Sequence, residues 1–172
     1  SGALPILAMG IILILFGIPL YVLIKLQTDD KFTEKFFDAI SPLWSKMFPV
    51  WYGKKDIEKV ISRLRLGKDS VVLDFGCGSG ITTTAIAKRV HRGTVVGVDI
   101  SQKQLERAVD KIRKAGLDNV ILIKERNMKF RKGAFDAVVG VDVLAYIDDP
   151  RRSLRKIFSS LKKGGRFSFM HF

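Results

Sequence analysis

The chain has 172 residues, 47% of them hydrophobic, and carries 30 Lys and Arg against 17 Asp and Glu, a formal charge of +13. That length suits one globular domain with an apolar addition. A single cysteine, Cys77, excludes an intrachain disulfide and agrees with a reducing compartment.

No charged side chain precedes Lys25, and Ala3 to Ile24 is interrupted only by Pro5, Gly10, Gly17, Pro19 and Tyr21. As a helix this stretch spans roughly 33 Å, against a hydrocarbon core about 30 Å thick. The pattern predicts one transmembrane helix within an anchor over residues 1–27, kinked near its end by Pro19. A core helix would keep a polar stripe, and a signal peptide would carry a positive n-region and a small-x-small cleavage site; the segment has none of these. Every Lys and Arg follows the span, which predicts a single-pass membrane protein with its soluble part on the cytoplasmic side. The basic residues are dispersed, as in Lys54-Lys55, Lys88-Arg89, Arg113-Lys114 and Arg151-Arg152, and are not interleaved with aromatics. Anionic headgroups of the lipid bilayer, rather than nucleic acid, are therefore the expected counter-charge.

Residues 28–53 form an aromatic-rich juxtamembrane segment. Phe32, Phe36, Ile40 and Leu43 share one helical face, bounded by Pro42 and then Pro49. Trp44, Met47, Phe48, Trp51 and Tyr52 enrich it further, and such side chains serve either packing or the membrane interface.

From Lys54 to residue 172 strands and helices alternate. Ile57, Val60, Ile61 and Leu64 give a helix face, Ser70 to Phe75 a strand, Thr82 to Val90 a helix, and Thr94 to Asp99 a strand. Ser101 to Ala115 reads as a helix opened by a capping box of Ser101 and Gln104, with Leu105, Ala108, Val109 and Ile112 inward and Gly116 as its stop. Val120 to Ile123 and Phe135 to Val141 read as strands, Arg151 to Leu161 as a helix on Leu154, Ile157, Phe158 and Leu161, and Arg166 to Phe172 as a strand. Near-continuous apolar strands separated by helices predict a doubly wound α/β domain with a mostly parallel sheet covered on both faces.

In such sheets ligands bind beyond the carboxyl ends of the strands. Gly76, Gly78 and Gly80 sit where the first strand turns into its helix, so the backbone can bend and approach a ligand. The amides near Ile81 to Thr83 present a positive dipole end, and Asp99, ending the second strand, suits a ribose diol. A dinucleotide site requires G-x-G-x-x-G, but the sixth position from Gly76 is Ile81. Asp74 would also repel phosphates and welcome an amino group, so an adenosyl ligand bearing an amino acid fits better.

LDFGCGSG, GTVVGVDIS, FDAVVGVDVLAYIDDP and LKKGGRFSF, in this order, resemble the successive motifs of the class I S-adenosylmethionine-dependent methyltransferases over most of residues 32–172. FFDAISPLW is similar to the cofactor-covering N-terminal helix of the quinone C-methyltransferases and phospholipid N-methyltransferases. The resemblance implies a Rossmann-like fold with S-adenosylmethionine as cofactor. It implies that Asp74, Phe75 and the backbone of Gly76, Cys77, Gly78, Ser79 and Gly80 hold the methionine moiety, Asp99 the ribose and Ile100 the adenine face. Glu125 or Asn127 would read the adenine amino group, and Val141 and Asp142 would line the methyl-transfer mouth. Asp142 and Tyr146 are the candidate bases, Trp44 and Tyr146 candidate packing at the mouth, and Cys77 a small turn residue rather than a nucleophile. His91 and His171 lack partners at metal-ligand spacing, so no metal is expected.

The family sheet has seven strands, whereas the fifth here reaches FSFMHF at the chain's last residues. An open edge predicts homo-oligomer formation through that strand. The expected activity is methyl transfer to a membrane-associated acceptor, a lipid headgroup or a prenylated quinone-type ring. A membrane-protein side chain, a small hydrophobic thiol or amine, and a non-catalytic membrane-tethered binding protein are the alternatives.

Overall fold

The computed structural model describes residues 17–51, 53–125, 130–147 and 149–170. Residues 3–16 of the expected span, Tyr52, Asn127 and His171, and the side chains of Trp44, Phe48 and Trp51, lie outside what is described.

Two helices lead into the domain, α1 (Ile18–Thr28) and α2 (Asp30–Trp51), followed by α3 (Lys54–Ser62). The chain then alternates through β1 (Val71–Phe75), α4 (Ile81–Ala87), β2 (Thr94–Asp99), α5 (Gln102–Lys114), β3 (Val120–Lys124), β4 (Phe135–Val141), a 3-10 turn (Leu144–Tyr146), α6 (Pro150–Ser160) and β5 (Leu161–Met170). The five strands form one sheet in the order β3-β2-β1-β4-β5, and every pairing is parallel. The chain runs outward from β1 to one edge and then crosses to the other. The turns after β1 and β4 therefore diverge at the switch point, where a doubly wound sheet opens a crevice.

Alternation along each strand sends neighbouring residues to opposite faces. Val72, Val95, Ala137 and Val139 pack with Ile57, Val60 and Ile61 of α3, with Leu64 just after it, and with Ile86 of α4. Leu73, Val98, Phe135 and Val138 pack on the other face with Ile157 of α6. The predicted α3 face is buried in full, whereas two other predicted core positions are corrected: Val109 is 41% exposed and Phe158 55%. Both lie at the margin of an amphipathic stripe, where periodicity alone does not decide the side. The last strand also starts earlier than predicted, at Leu161, because Leu161 already pairs with Phe135, and the pairing resumes at Arg166 with Ala137 after an irregularity.

α2 does not stop at Pro42 or Pro49 but runs through both. An interior proline removes a helix hydrogen bond at a cost of about 3 kcal/mol or more. Contacts on either side of Pro42 hold the helix against that cost: Asp38 accepts from the Ser101 hydroxyl and the Lys103 N–H, the Arg107 guanidinium donates to the Ser41 hydroxyl at 2.7 Å, and the Ser45 hydroxyl donates to the Gln104 amide oxygen at 3.4 Å.

Among the described residues no helix is long and apolar enough to cross a membrane. α1, the described end of the expected span, has Pro19 in its first turn, where a missing N–H is tolerated; the expected kink concerns a helix whose preceding residues lie outside the described ones. It buries only Leu26 and leaves Ile18, Leu20, Tyr21, Leu23 and Ile24 each at least 51% exposed.

Candidate functional site

The turn leaving β1 is stitched to the end of β2. Gly76 N–H and Cys77 N–H both donate to the Val98 carbonyl at 2.8 and 3.0 Å, and Gly80 N–H donates to the Cys77 carbonyl at 3.0 Å. Gly76 and Gly80 have φ of 70° and 76°. A β-carbon on Gly76 would sit 2.5 Å from a Val143 methyl, and one on Gly80 would sit 2.9 Å from the Ala108 β-carbon. The first glycine thus lets the turns after β1 and β4 meet, and the last lets α4 pack on α5.

Asp99 closes this arrangement. One carboxylate oxygen accepts from Gly78 N–H at 2.8 Å, the other from Ser101 N–H at 2.9 Å. Because Ser101 gives its N–H to Asp99, the expected capping box is only half formed: the Ser101 hydroxyl accepts from Gln104 N–H at 3.2 Å, while the Gln104 side chain turns to Ser45. Burial raises the Asp99 pKa, against which the backbone donors act. Asp74, by contrast, is 1% exposed and does not line the cleft. Its carboxylate accepts from the Thr83 hydroxyl at 2.6 Å, and burial pushes its pKa up to about 7.

The cleft beyond these strand ends brings together most of the predicted residues: Phe75, Gly76, Cys77, Gly78, Ser79, Asp99, Ile100, Glu125, Val141, Asp142 and Tyr146 all line it. Gly80 does not, since it serves the packing of α4. The Cys77 thiol is buried and its pKa is pushed well up, first by burial and then by the charges of Asp99 and Asp74. A thiol held protonated is a poor nucleophile.

Asp142, at the mouth, has φ 54° and donates its N–H to the Met170 carbonyl at 2.8 Å, so β5 holds it in the left-handed region. Such strain in a non-glycine residue tends to gather at functional sites. Burial, and secondarily the charge of Asp142, raise the Tyr146 pKa, which keeps its phenol protonated at neutral pH.

The cover is α2. Thr33 and Phe37 line the cleft, and the Phe37 ring meets Tyr146 edge-on at 5.0 Å. The Thr33 hydroxyl donates to the Leu26 and Asp29 carbonyls at 2.8 and 2.9 Å, which sets the corner between α1 and α2. Gln27 donates to the Ala145 carbonyl at 3.3 Å, and Glu34 pairs with Lys124 of β3. The sequence reading missed Thr33, Gln104, Val143 and Ile147, and also Arg152, Ser153 and Lys156 on one face of α6. Only the last group leaves a sequence signal, the i, i+1, i+4 spacing of polar residues opposite Leu154 and Ile157.

Residues 73–169 match the family of methyltransferase domains. A demethylmenaquinone methyltransferase of Listeria welshimeri is 29% identical over 148 residues, covering 83% of this chain and 63% of the relative. The chain thus spans less than two thirds of the length of that curated relative. Among solved structures, the [4+2]-cyclase SpnF superposes with a TM-score of 0.73 at 23% identity, covering 80% of this chain and 58% of the other, a likeness of fold alone. The geranyl diphosphate C-methyltransferase of Streptomyces coelicolor, solved with S-adenosyl-L-homocysteine, gives 0.59 at 26% identity, covering 67% of this chain and 44% of the other.

Proposed function

We propose, since this chain belongs to the S-adenosylmethionine-dependent methyltransferase family, that it moves a methyl group to a lipophilic acceptor held at a membrane, a lipid headgroup or a prenylated quinone-type ring. The observation that carries the cofactor half is the Asp99 carboxylate at the cleft wall, fixed by Gly78 and Ser101 beside a turn whose Gly76 excludes a β-carbon. These residues fit an adenosyl amino acid: Asp99 takes the ribose hydroxyls, the Gly76 to Ser79 backbone the methionine end, and Ile100 and Glu125 the adenine side. Asp74 supports this turn from behind through Thr83. Bound there, the cofactor supplies an activated methyl on a sulfonium.

The protein's own contribution is placement. In-line approach at about 3 Å supplies much of the rate in such a transfer. Val141, Asp142, Tyr146 and Phe37 line the mouth together, with the Phe37 ring against Tyr146, so the acceptor meets the apolar cover beside the end of β4. Asp142 is the residue placed to take a proton from an acceptor that must lose one, and the protonated Tyr146 phenol is placed to orient the acceptor as a donor.

The membrane half rests on the apolar, solvent-facing sides of α1 and the uncharged stretch before it, with the basic domain beginning immediately after. In this reading the chain is a single-pass anchor with its domain on the cytoplasmic side. The names of the Listeria and Streptomyces proteins, one for demethylmenaquinone and one for geranyl diphosphate, agree with a prenyl-bearing acceptor.

Calorimetric titration of the detergent-solubilised chain with S-adenosylhomocysteine tests the cofactor half. Saturable binding is expected, absent with NADH and at least tenfold weaker in Asp99→Ala. Equal affinity in the variant would refute the assigned site. Methyl-labelled cofactor incubated with membrane extract should then place label in the lipid-soluble fraction; label confined to protein would refute the acceptor class.

A further inference from the structure

A second concavity lies outside the cofactor cleft, between the start of α3, the outer side of α4 and the last turns of α5. Its charged lining is Lys54, Glu58, Lys88, Arg89 and Lys111, over a wall of Ile81, Thr84 and Ala85. Four cations face one carboxylate, and that carboxylate is taken: Glu58 pairs with the Arg89 guanidinium. Among the described residues Lys54, Lys88 and Lys111 make no ion pair.

Lys111 is the informative member. Its ammonium is half-buried, and burial alone lowers its pKa, with no neighbouring carboxylate raising it back. Charge is normally withdrawn from water only against a counter-charge. Here the same hollow is lined by three further cations instead. The Thr84 hydroxyl is already donated to the Gly80 carbonyl at 2.6 Å, so the free donors of the hollow are ammonium groups and the remaining guanidinium N–H groups of Arg89. A ligand that accepts from several directions and carries at least one full negative charge meets this donor set. A carboxylate offers two oxygens in one plane, whereas a tetrahedral phosphate presents three to donors carried by α3, by the residues just after α4 and by α5.

We infer that the hollow between α3, α4 and α5 is a binding site for a phosphate group, formed by Lys54, Lys88, Arg89 and Lys111. It is distinct from the cofactor cleft, with Ile81 lining both hollows as the wall between them. The phosphate has two sources of the same chemistry, the headgroup of a membrane lipid or a free phosphorylated compound. This inference does not depend on the methyl-transfer reading, because the hollow shares no charged residue with that cleft.

The full chain titrated with inorganic phosphate at low ionic strength is expected to show one saturable site. Affinity should fall about tenfold in Lys111→Gln and in Lys54→Gln, the loss of one charge-assisted contact. Lys163→Gln, an equal change of charge on β5, should leave it unchanged. Lys54 is exposed at a helix start, so its variant carries the test if Lys111→Gln does not fold. Flotation on phosphatidylcholine vesicles containing phosphatidic acid separates the sources: binding weakened by Lys111→Gln but not by Lys163→Gln assigns a lipid headgroup, and binding insensitive to either, with phosphate affinity still lost, assigns a free phosphate ligand. No saturable site at millimolar phosphate, or an equal loss in Lys163→Gln, overturns the inference.

Discussion

Three glycines in one turn look equivalent in the sequence and are not so in the fold. Gly76, Gly78 and Gly80 all have positive φ, but a β-carbon on Gly78 would meet nothing within 4 Å, whereas on Gly76 it would enter the Val143 side chain. Gly78→Ala therefore carries only the conformational cost of the left-handed region, about 1 kcal/mol. Gly76→Ala adds a steric conflict of about 1–3 kcal/mol. Chemical denaturation should rank the two variants in that order, and equal losses would show that the contact with Val143 relaxes freely. Asp74 makes a second prediction at this scale. Its folded-state pKa of about 7 lies above the ordinary value of 3.8, so the folded chain binds the proton more tightly than the unfolded one. Stability from this group is then full below about pH 4 and is lost as pH rises through 7, by on the order of 4 kcal/mol over the window. Asp74→Asn should flatten that slope in denaturation curves taken between pH 4 and 8; an unchanged slope would mean the carboxyl stays ionised throughout. Sequence patterning found Asp74 but not its role, since the Thr83 hydroxyl nine residues on belongs to no periodic signal.

At the level of elements, the central strands were legible because burial on both faces writes continuous apolar runs. Thr94–Asp99 and Phe135–Val141 have the bounds their composition predicts. α2 was not legible in the same way. Local rules end a helix near Pro42, and what overrides them is a set of polar contacts to residues about sixty positions away. Asp38 with Ser101 and Lys103, and Ser41 with Arg107, tie the cover to α5, directly after Asp99, the proposed ribose ligand. The cover and the proposed ribose site therefore share an anchor. Asp38→Ala should loosen α2 more than it destabilises the sheet: hydrogen exchange over residues 30–43 should rise severalfold while exchange in β1 and β4 stays the same. Affinity for S-adenosylhomocysteine should fall by about tenfold, one charge-assisted hydrogen bond network weakened. A uniform rise in exchange across the sheet would instead make Asp38 a general stability residue.

For the whole molecule, the question is which force would hold it at a membrane. The charge of +13 favours anionic surfaces at about 1 kcal/mol for each Lys or Arg near the headgroups, but that attraction is screened within about 3 Å at 1 M salt. The exposed Ile18, Leu20, Leu23 and Ile24 of α1 act differently, since burying a side chain of this size gains about 1.5–3 kcal/mol and salt does not weaken it. The two contributions make opposite predictions for one experiment. If the apolar sides of α1 and the uncharged stretch before it enter the bilayer, the full chain stays with phosphatidylcholine vesicles containing phosphatidylserine after a wash in 1 M NaCl, and also binds vesicles of phosphatidylcholine alone. If charge alone recruits the domain, the salt wash removes it and neutral vesicles never retain it. The first outcome would also give the cleft its orientation. α1 turns into α2 at the Thr33 corner, and α2 places Phe37 at the cleft mouth, so a bilayer holding α1 lies next to the element that covers the cofactor. A lipophilic acceptor would then reach Tyr146 and Asp142 from the membrane side of the cover rather than across the basic, water-facing surface of the domain.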